Sequence, residues 1–391
     1  MHTPNEFKGR DTERIRQAID AAMADGSRRV VIPRMNHTGG KPCEGWELDS
    51  AILLPSGMTL ELDDCRIRLS DRCRDNFIRS ANCGQGIRSI QPLHDIQIIG
   101  RGRAVLEGAA HPRSTGDSAK TLGQPTYGTD AGVAGESQTG DWRNLGILLA
   151  RVERFRIENL TIIEPHCWGI SLEHCSHGKV RDIEFASTGE PLIDGVSAII
   201  LNQDGLDLRA GCHDILIENI TGYTGDDLVA LTGSRHMPAE SGGLNFTQVC
   251  GPEQWAGRCE DIRHITIRNV VGHSRGRNHI VRFLNGNGVR LHDVILDGLI
   301  DTSPIGVQAK AAVKIGDNNP AWGGITPLGD TFRLVIDHVL SRAREAVLVG
   351  GSLADSVIGT VRRHDNRGGE VFLESGPTNI RNVTIKDAGV K

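Results

Sequence analysis

Short segments of alternating aliphatic and polar residues recur along this chain. They constrain its fold more than any other feature. Copies occupy residues 96–100, 155–162, 180–185, 215–220, 262–270, 289–297, 334–339 and 380–385. Several carry Asn or Asp beside the last apolar pair, as at Asn159, Asn219, Asn269 and Asn382. Second alternating runs, such as residues 169–173 and 347–350, fall between the copies. The unit is two or three short strands in roughly 20–28 residues, a period that indicates a solenoid. Such strands bury an apolar face only by stacking coil on coil. Asn-Gly and Asp-Gly turns are sparse, which argues against the hairpins of a sandwich. The expected fold is all-β: a right-handed parallel β-helix in which Asn or Asp bonds the backbone at strand turns.

The N-terminus differs. Ile15, Ile19 and Ala22 share one face at helical spacing, Asp11 or Thr12 can cap the start, and Gly26 marks the end. This predicts a helix over residues 11–25 that covers the open end of the first coil. Two stretches lack the alternation, residues 109–143 and 234–258, and are expected to rim a cleft. Residues 1–391 are read as one domain. Gly is 48 of 391 residues and aromatics only 4%, which suits many short strands with tight turns. A formal net charge of -5 excludes a broad nucleic-acid footprint. No apolar stretch approaches the ~20 residues of a membrane helix. The first ten residues are polar and the nine Cys form no C-x-x-C pair, so reduced thiols in a cytoplasm are expected. An oligomer remains open.

The chemistry concentrates in two acidic turns. Asn202-Gln203-Asp204-Gly205 precedes Leu206-Asp207-Leu208, and Gly225-Asp226-Asp227 precedes Leu228-Val229-Ala230-Leu231. Asp204 and Asp226 are 22 residues apart, so they are expected in one column on neighbouring coils, with Asp227 one place on. Carboxylates so close repel, and one retains a proton near neutrality. That supplies an acid and a base, as inverting glycoside hydrolysis requires, with carboxyls roughly 6.5–9.5 Å apart. As alternatives, the Asp residues form turns or bind calcium. His174 and His177 form an H-x-x-H pair, but on a strand they face opposite ways, and no zinc site is expected.

At these residues the chain resembles glycoside hydrolase family 28, the polygalacturonase family. Asn202-Gln203-Asp204-Gly205 is similar to its Asn-Thr-Asp-Gly, and Gly225-Asp226-Asp227 to its Gly-Asp-Asp. Segments 54–62, 98–108 and 143–185 resemble its opening strand pair, its Gly-x-Gly turn and its central coils. The resemblance implies Asp226 as general acid, Asp204 and Asp227 holding the attacking water, a carbohydrate substrate, and no metal or organic cofactor. For the family's histidine, alignment of the apolar alternation puts His279 in the column of Asp227; His273, in Gly272-His273-Ser274, is the second choice. The family's Arg-x-Lys has no full match. Lys314 and Arg282 stand nearest to it, and a neutral sugar is as compatible as an acidic one. Asn202 and Trp168 complete the expected substrate contacts. A polysaccharide lyase or transglycosidase on the same fold, and a non-catalytic glycan-binding solenoid, are the competing readings.

Overall fold

The computed structural model describes residues 1–38, 41–84, 87, 89–116, 142–234, 257–286, 288–364 and 370–386. Each alternating segment pairs in parallel with the matching segment one coil away. The chain is a right-handed parallel β-helix. One long sheet runs from Arg29–Pro33 to Ile380–Ile385, and a second from Ile52–Leu54 to Val371–Leu373. Inward positions form aliphatic rows down the axis. One row, Ile157, Val180, Ile217, Ile267, Leu296 and Ile336, is wholly buried and in register. Burying such a side chain contributes about 1.5–3 kcal/mol, and the stack repeats it at every coil.

The Asn and Asp beside each apolar pair make the corner. Asn159, Asp182, Asn219, Asn269 and His338 have φ of 53–57°, and Gly298 continues the column at 85°. Asn and Asp tolerate this left-handed region better than most residues because their short side chains bond locally. Here they also bond to each other: Asn219 Nδ2 donates to Asp182 Oδ1 at 2.8 Å and Asn269 Nδ2 to Asn219 Oδ1 at 3.1 Å. The corner turns long strands such as His213–Thr224 from one face of the coil to the next.

The helix Asp11–Ala24 covers the first coil with Ile15, Ala18, Ile19 and Ala22. Its caps differ from expectation. Arg10 N–H donates to Glu13 Oε2. The Asp11 carboxylate instead accepts from Glu47 N–H and Asn36 Nδ2, and Thr12 Oγ1 from Asp49 N–H. Tertiary bonds to strand backbone thus displace the local caps. The two expected cleft rims fall largely on residues 117–141 and 235–256, outside the described residues. All eight described Cys are free thiols. Among the described residues, no helix is long and apolar enough to cross a membrane.

Candidate active site

Four consecutive strands of the second sheet build the site: Leu206–Arg209, Val229–Ser234, His279–Gly286 and Ala311–Ile315. Leu206, Val229, Val281 and Val313 are in register and point into the core. The next residue of each strand, Asp207, Ala230, Arg282 and Lys314, forms an outward row. Leu206 pairs with Val229, an offset of 23 rather than 22 residues. The register therefore corrects the expected column: Asp204 lies opposite Asp227, not Asp226, and Gln203 takes the place opposite Asp226. His279 stands in the same column, and its N–H donates to Asp227 Oδ1 at 2.9 Å.

Local packing turns the carboxylates outward. Leu228 and Val229 are both in the core, as are Ile280 and Val281. The alternation breaks at this corner, which frees Asp227 and His279 to face the cavity. On the preceding coil Gly205 occupies the position of Leu228. A Cβ on Gly205 would lie 2.4 Å from the Leu228 carbonyl oxygen and 3.0 Å from the Phe185 ring. Phe185 fills the space that Leu228 fills one coil on, so Asp204 must be followed by Gly. Gln203 anchors the turn from below: Nε2 donates to Glu164 Oε2 and the Pro165 carbonyl, and Oε1 accepts from Gly189 N–H.

Asp204, Asp226 and Asp227 present oxygens all within 4.8 Å of one another. At these atoms the expected 6.5–9.5 Å span is not reached. The three environments differ. Burial is the largest influence on Asp204, and Asp207, Asp226 and Asp227 add to it, raising its pKa well above 3.8. Asp204 Oδ1 also accepts from Asp227 N–H at 2.8 Å. Burial opposes ionisation of Asp227 too, but His279 and Arg282 outweigh it and hold Asp227 at about 2. His279 Nδ1 is 2.9 Å from Asp227 Oδ1. Because Asp227 is ionised, Nδ1 carries the proton of this bond. Burial lowers the pKa of His279 in spite of Asp227, so the ring is neutral at pH 7 and Nε2 is an acceptor. Asp226 is half-buried.

Asp204, Asp226, Asp227, His279, Asn202, Trp168, Arg282 and Lys314 all line one cavity of about 210 Å³. His273 does not join them. Its ring stacks on Tyr223 at 5.6 Å, and Nδ1 meets Thr302 Oγ1 on the neighbouring coil. Trp168 is nearly buried, with Arg209 4.9 Å from its ring centroid. The cation covers a ring face that a sugar would use. A second cavity of about 650 Å³ shares Asn202, Asp226 and Asn278 with the first. Asp226 therefore stands at the junction of two cavities.

Asp207 and Asp317 escaped the sequence reading. Asp207 is buried on the outward row, and among the described residues its oxygens have no hydrogen-bond partner. Burial pushes its carboxyl well above 3.8. Its signal was its place between Leu206 and Leu208, which marks it as outward. Asp317 carries no such mark. Its Oδ2 accepts from Lys314 Nζ at 2.5 Å and Arg282 Nη2 at 3.1 Å.

Among the described residues two groups bring three possible metal ligands together: Asp204, Asp226 and Asp227, and on another face His177, His213 and Asp214. In the first, Arg282 and His279 already bond Asp227, and Asp204 favours its proton. These contacts compete with a cation.

No protein-family model and no curated protein matches the chain. Solved structures match in fold. A double-mutant tailspike protein of E. coli bacteriophage HK620, in complex with a pentasaccharide, is 13% identical with a TM-score of 0.55, over 97% of this chain and 63% of that one. The chain thus spans under two thirds of the tailspike's length. An exopolygalacturonase from Thermotoga maritima is 16% identical with a TM-score of 0.48, over 98% of this chain and 81% of that one. A family 28 exopolygalacturonase from Yersinia enterocolitica is 13% identical with a TM-score of 0.47, over 99% and 76%.

Proposed function

We propose that the protein hydrolyses a glycosidic bond in an oligo- or polysaccharide, with inversion. The observation that carries this reading is the position of Asp226. It stands between two cavities that can each hold part of a sugar chain, directly beside an ionised Asp227 and a proton-retaining Asp204. Asp204 holds a proton within reach of Asp226. Asp226, the more accessible of the two, gives it to the glycosidic oxygen as the C–O bond breaks. Asp227 and Asp204 hold a water between them. Its oxygen bonds to the anomeric carbon while Asp227 takes its proton.

The close approach of the carboxyls removes distance as an argument for inversion. What supports a held water over a covalent intermediate is the use of the oxygens. Asp227 Oδ1 accepts two bonds from His279, Oδ2 faces Arg282, and Asp204 Oδ1 accepts from Asp227 N–H. Oxygens so engaged are poorly placed to attack the anomeric carbon, which leaves them to hold a water. A lyase would require a basic Lys or Arg at the site, whereas Arg282 and Lys314 both hold carboxylates. The tailspike of the same fold whose structure contains a pentasaccharide agrees with a carbohydrate ligand.

Proton NMR of the anomeric region during digestion of an oligosaccharide panel tests the reading. The first product signal is expected at the anomer opposite to the substrate. Retention would remove the water-holding role of Asp204 and Asp227, and an unsaturated product absorbing in the ultraviolet would indicate a lyase.

A further inference from the structure

Two of the cations that line the cavity are already matched by carboxylates of the protein. Arg282 and Lys314 lie in register on neighbouring coils, and both donate to the same oxygen of Asp317. Lys314 and Asp317 are each almost wholly buried. Arg282 also faces Asp227 at 3.5 Å and lies over the Trp322 ring at 5.3 Å. Two cations are thus shared by two carboxylates of the protein itself. A sugar carboxylate entering here would meet Asp317 at close range, in a setting where like charges repel strongly.

What the cavity offers is neutral hydrogen bonding. Nε2 of His279 and Nε of Arg282 are buried and without partners among the described residues. Nδ1 of His279 donates to Asp227, so Nε2 needs a donor. A hydroxyl can donate to Nε2, whereas an ionised carboxylate has no proton to give it. A site with buried polar groups discriminates strongly against ligands that leave them unpaired.

We propose that the subsite walled by Arg282, Lys314 and Trp322 takes a neutral sugar, and that Asp317 determines this by pairing with both cations that wall it. The inference rests on the hydrolytic reading above and adds its substrate class.

The test uses matched glycoside pairs that differ only at C6, hydroxymethyl against carboxylate, in gluco, galacto and manno configurations and both anomers. The full-length protein should turn over a neutral member at least about tenfold faster, by kcat/KM, than its uronic partner. A uronic member preferred over its neutral partner overturns this inference alone. Turnover of no member, neutral or uronic, overturns it together with the hydrolytic reading. Asp317→Asn keeps the shape of the side chain, releases Lys314 and leaves Arg282 facing Asp227 alone. It should move the uronic-to-neutral ratio at least about tenfold toward the uronic sugar; an unchanged ratio in a folded variant also overturns the inference. If the variant does not fold, the wild-type ratio still decides.

Discussion

Asp227 and His279 face each other on neighbouring coils, and the histidine grips the carboxylate twice: its backbone N–H and its Nδ1 both lie 2.9 Å from Asp227 Oδ1. Together with Arg282 this holds Asp227 at about 2 against burial. The unfolded value is near 3.8, so ionised Asp227 stabilises the fold above about pH 4, and that contribution is lost as pH falls through about 2. His279→Ala keeps the backbone bond and removes the ring. Asp227 should then titrate closer to 3.8, and the acid limb of the kcat/KM profile should move up by about one pH unit. A limb that stays in place would belong to another group.

Asp226 is half-buried at the junction of the two cavities. Asp226→Asn should lower kcat by about 10²–10⁴, the range of a lost general acid. The midpoint of thermal unfolding should not fall, since the change removes one of three mutually repelling carboxylates. Loss of folding together with activity would favour a turn-forming role.

Asp204 carries the opposite sign to Asp227. Its folded value is raised, so its stabilising contribution is present below the unfolded value near 3.8 and is lost as pH rises through the folded one. Asp204→Asn cannot ionise, yet its Oδ1 can still accept from Asp227 N–H. The variant should be more stable than wild type at pH 7, by about 1 kcal/mol, while losing turnover, as expected where function rests on a destabilised site. Denaturant unfolding at pH 4 and pH 7 reads this directly, and a variant less stable at both values would contradict it.

Gly205→Ala forces a Cβ against the Leu228 carbonyl and Phe185. It should cost about 1–3 kcal/mol as an overpacking change and lower activity by displacing Asp204. Adding Phe185→Leu opens part of the space, so the double variant should be more stable than the sum of the single changes predicts. Strict additivity in a double-mutant cycle would show that Phe185 does not impose the glycine.

Much of this architecture was legible because a stacked coil repeats its own pattern. Asn159, Asn219 and Asn269 mark corners in sequence and occupy one left-handed column in space. Ile15, Ile19 and Ala22 mark the covering helix. The alignment that put His279 beside Asp227 also matches the observed register, because apolar alternation is the physical source of register. The same alternation failed for Asp204 and Asp226. Their spacing is 22 residues, whereas the coil is 23 residues long there. Two adjacent core residues, Leu228 and Val229, interrupt the period-two pattern at the corner. Alternation alone does not count residues across such a break.

His273 shows the complementary limit. Its Gly-His-Ser setting resembles a motif, but the strand Ile262–Ser274 belongs to the other long sheet, and a local motif does not say which face of a coil it reaches. The place of Asp207 between Leu206 and Leu208 marks an outward position but not its burial. Asp317 was not visible at all, since it lies in a turn three residues after Lys314 and acquires meaning only through Arg282, 35 residues earlier.

The sequence by itself determined the coil, its corners, its covered end and the residue types of the acidic turns, because each depends on neighbours within one repeat. Only the tertiary structure decided which carboxylates face one another, which of them keeps a proton, and that Arg282 and Lys314 are already paired. Those properties depend on burial and on distances of a few ångströms between coils. A register offset of one residue or one buried carboxylate changes them without changing the pattern that folds the chain.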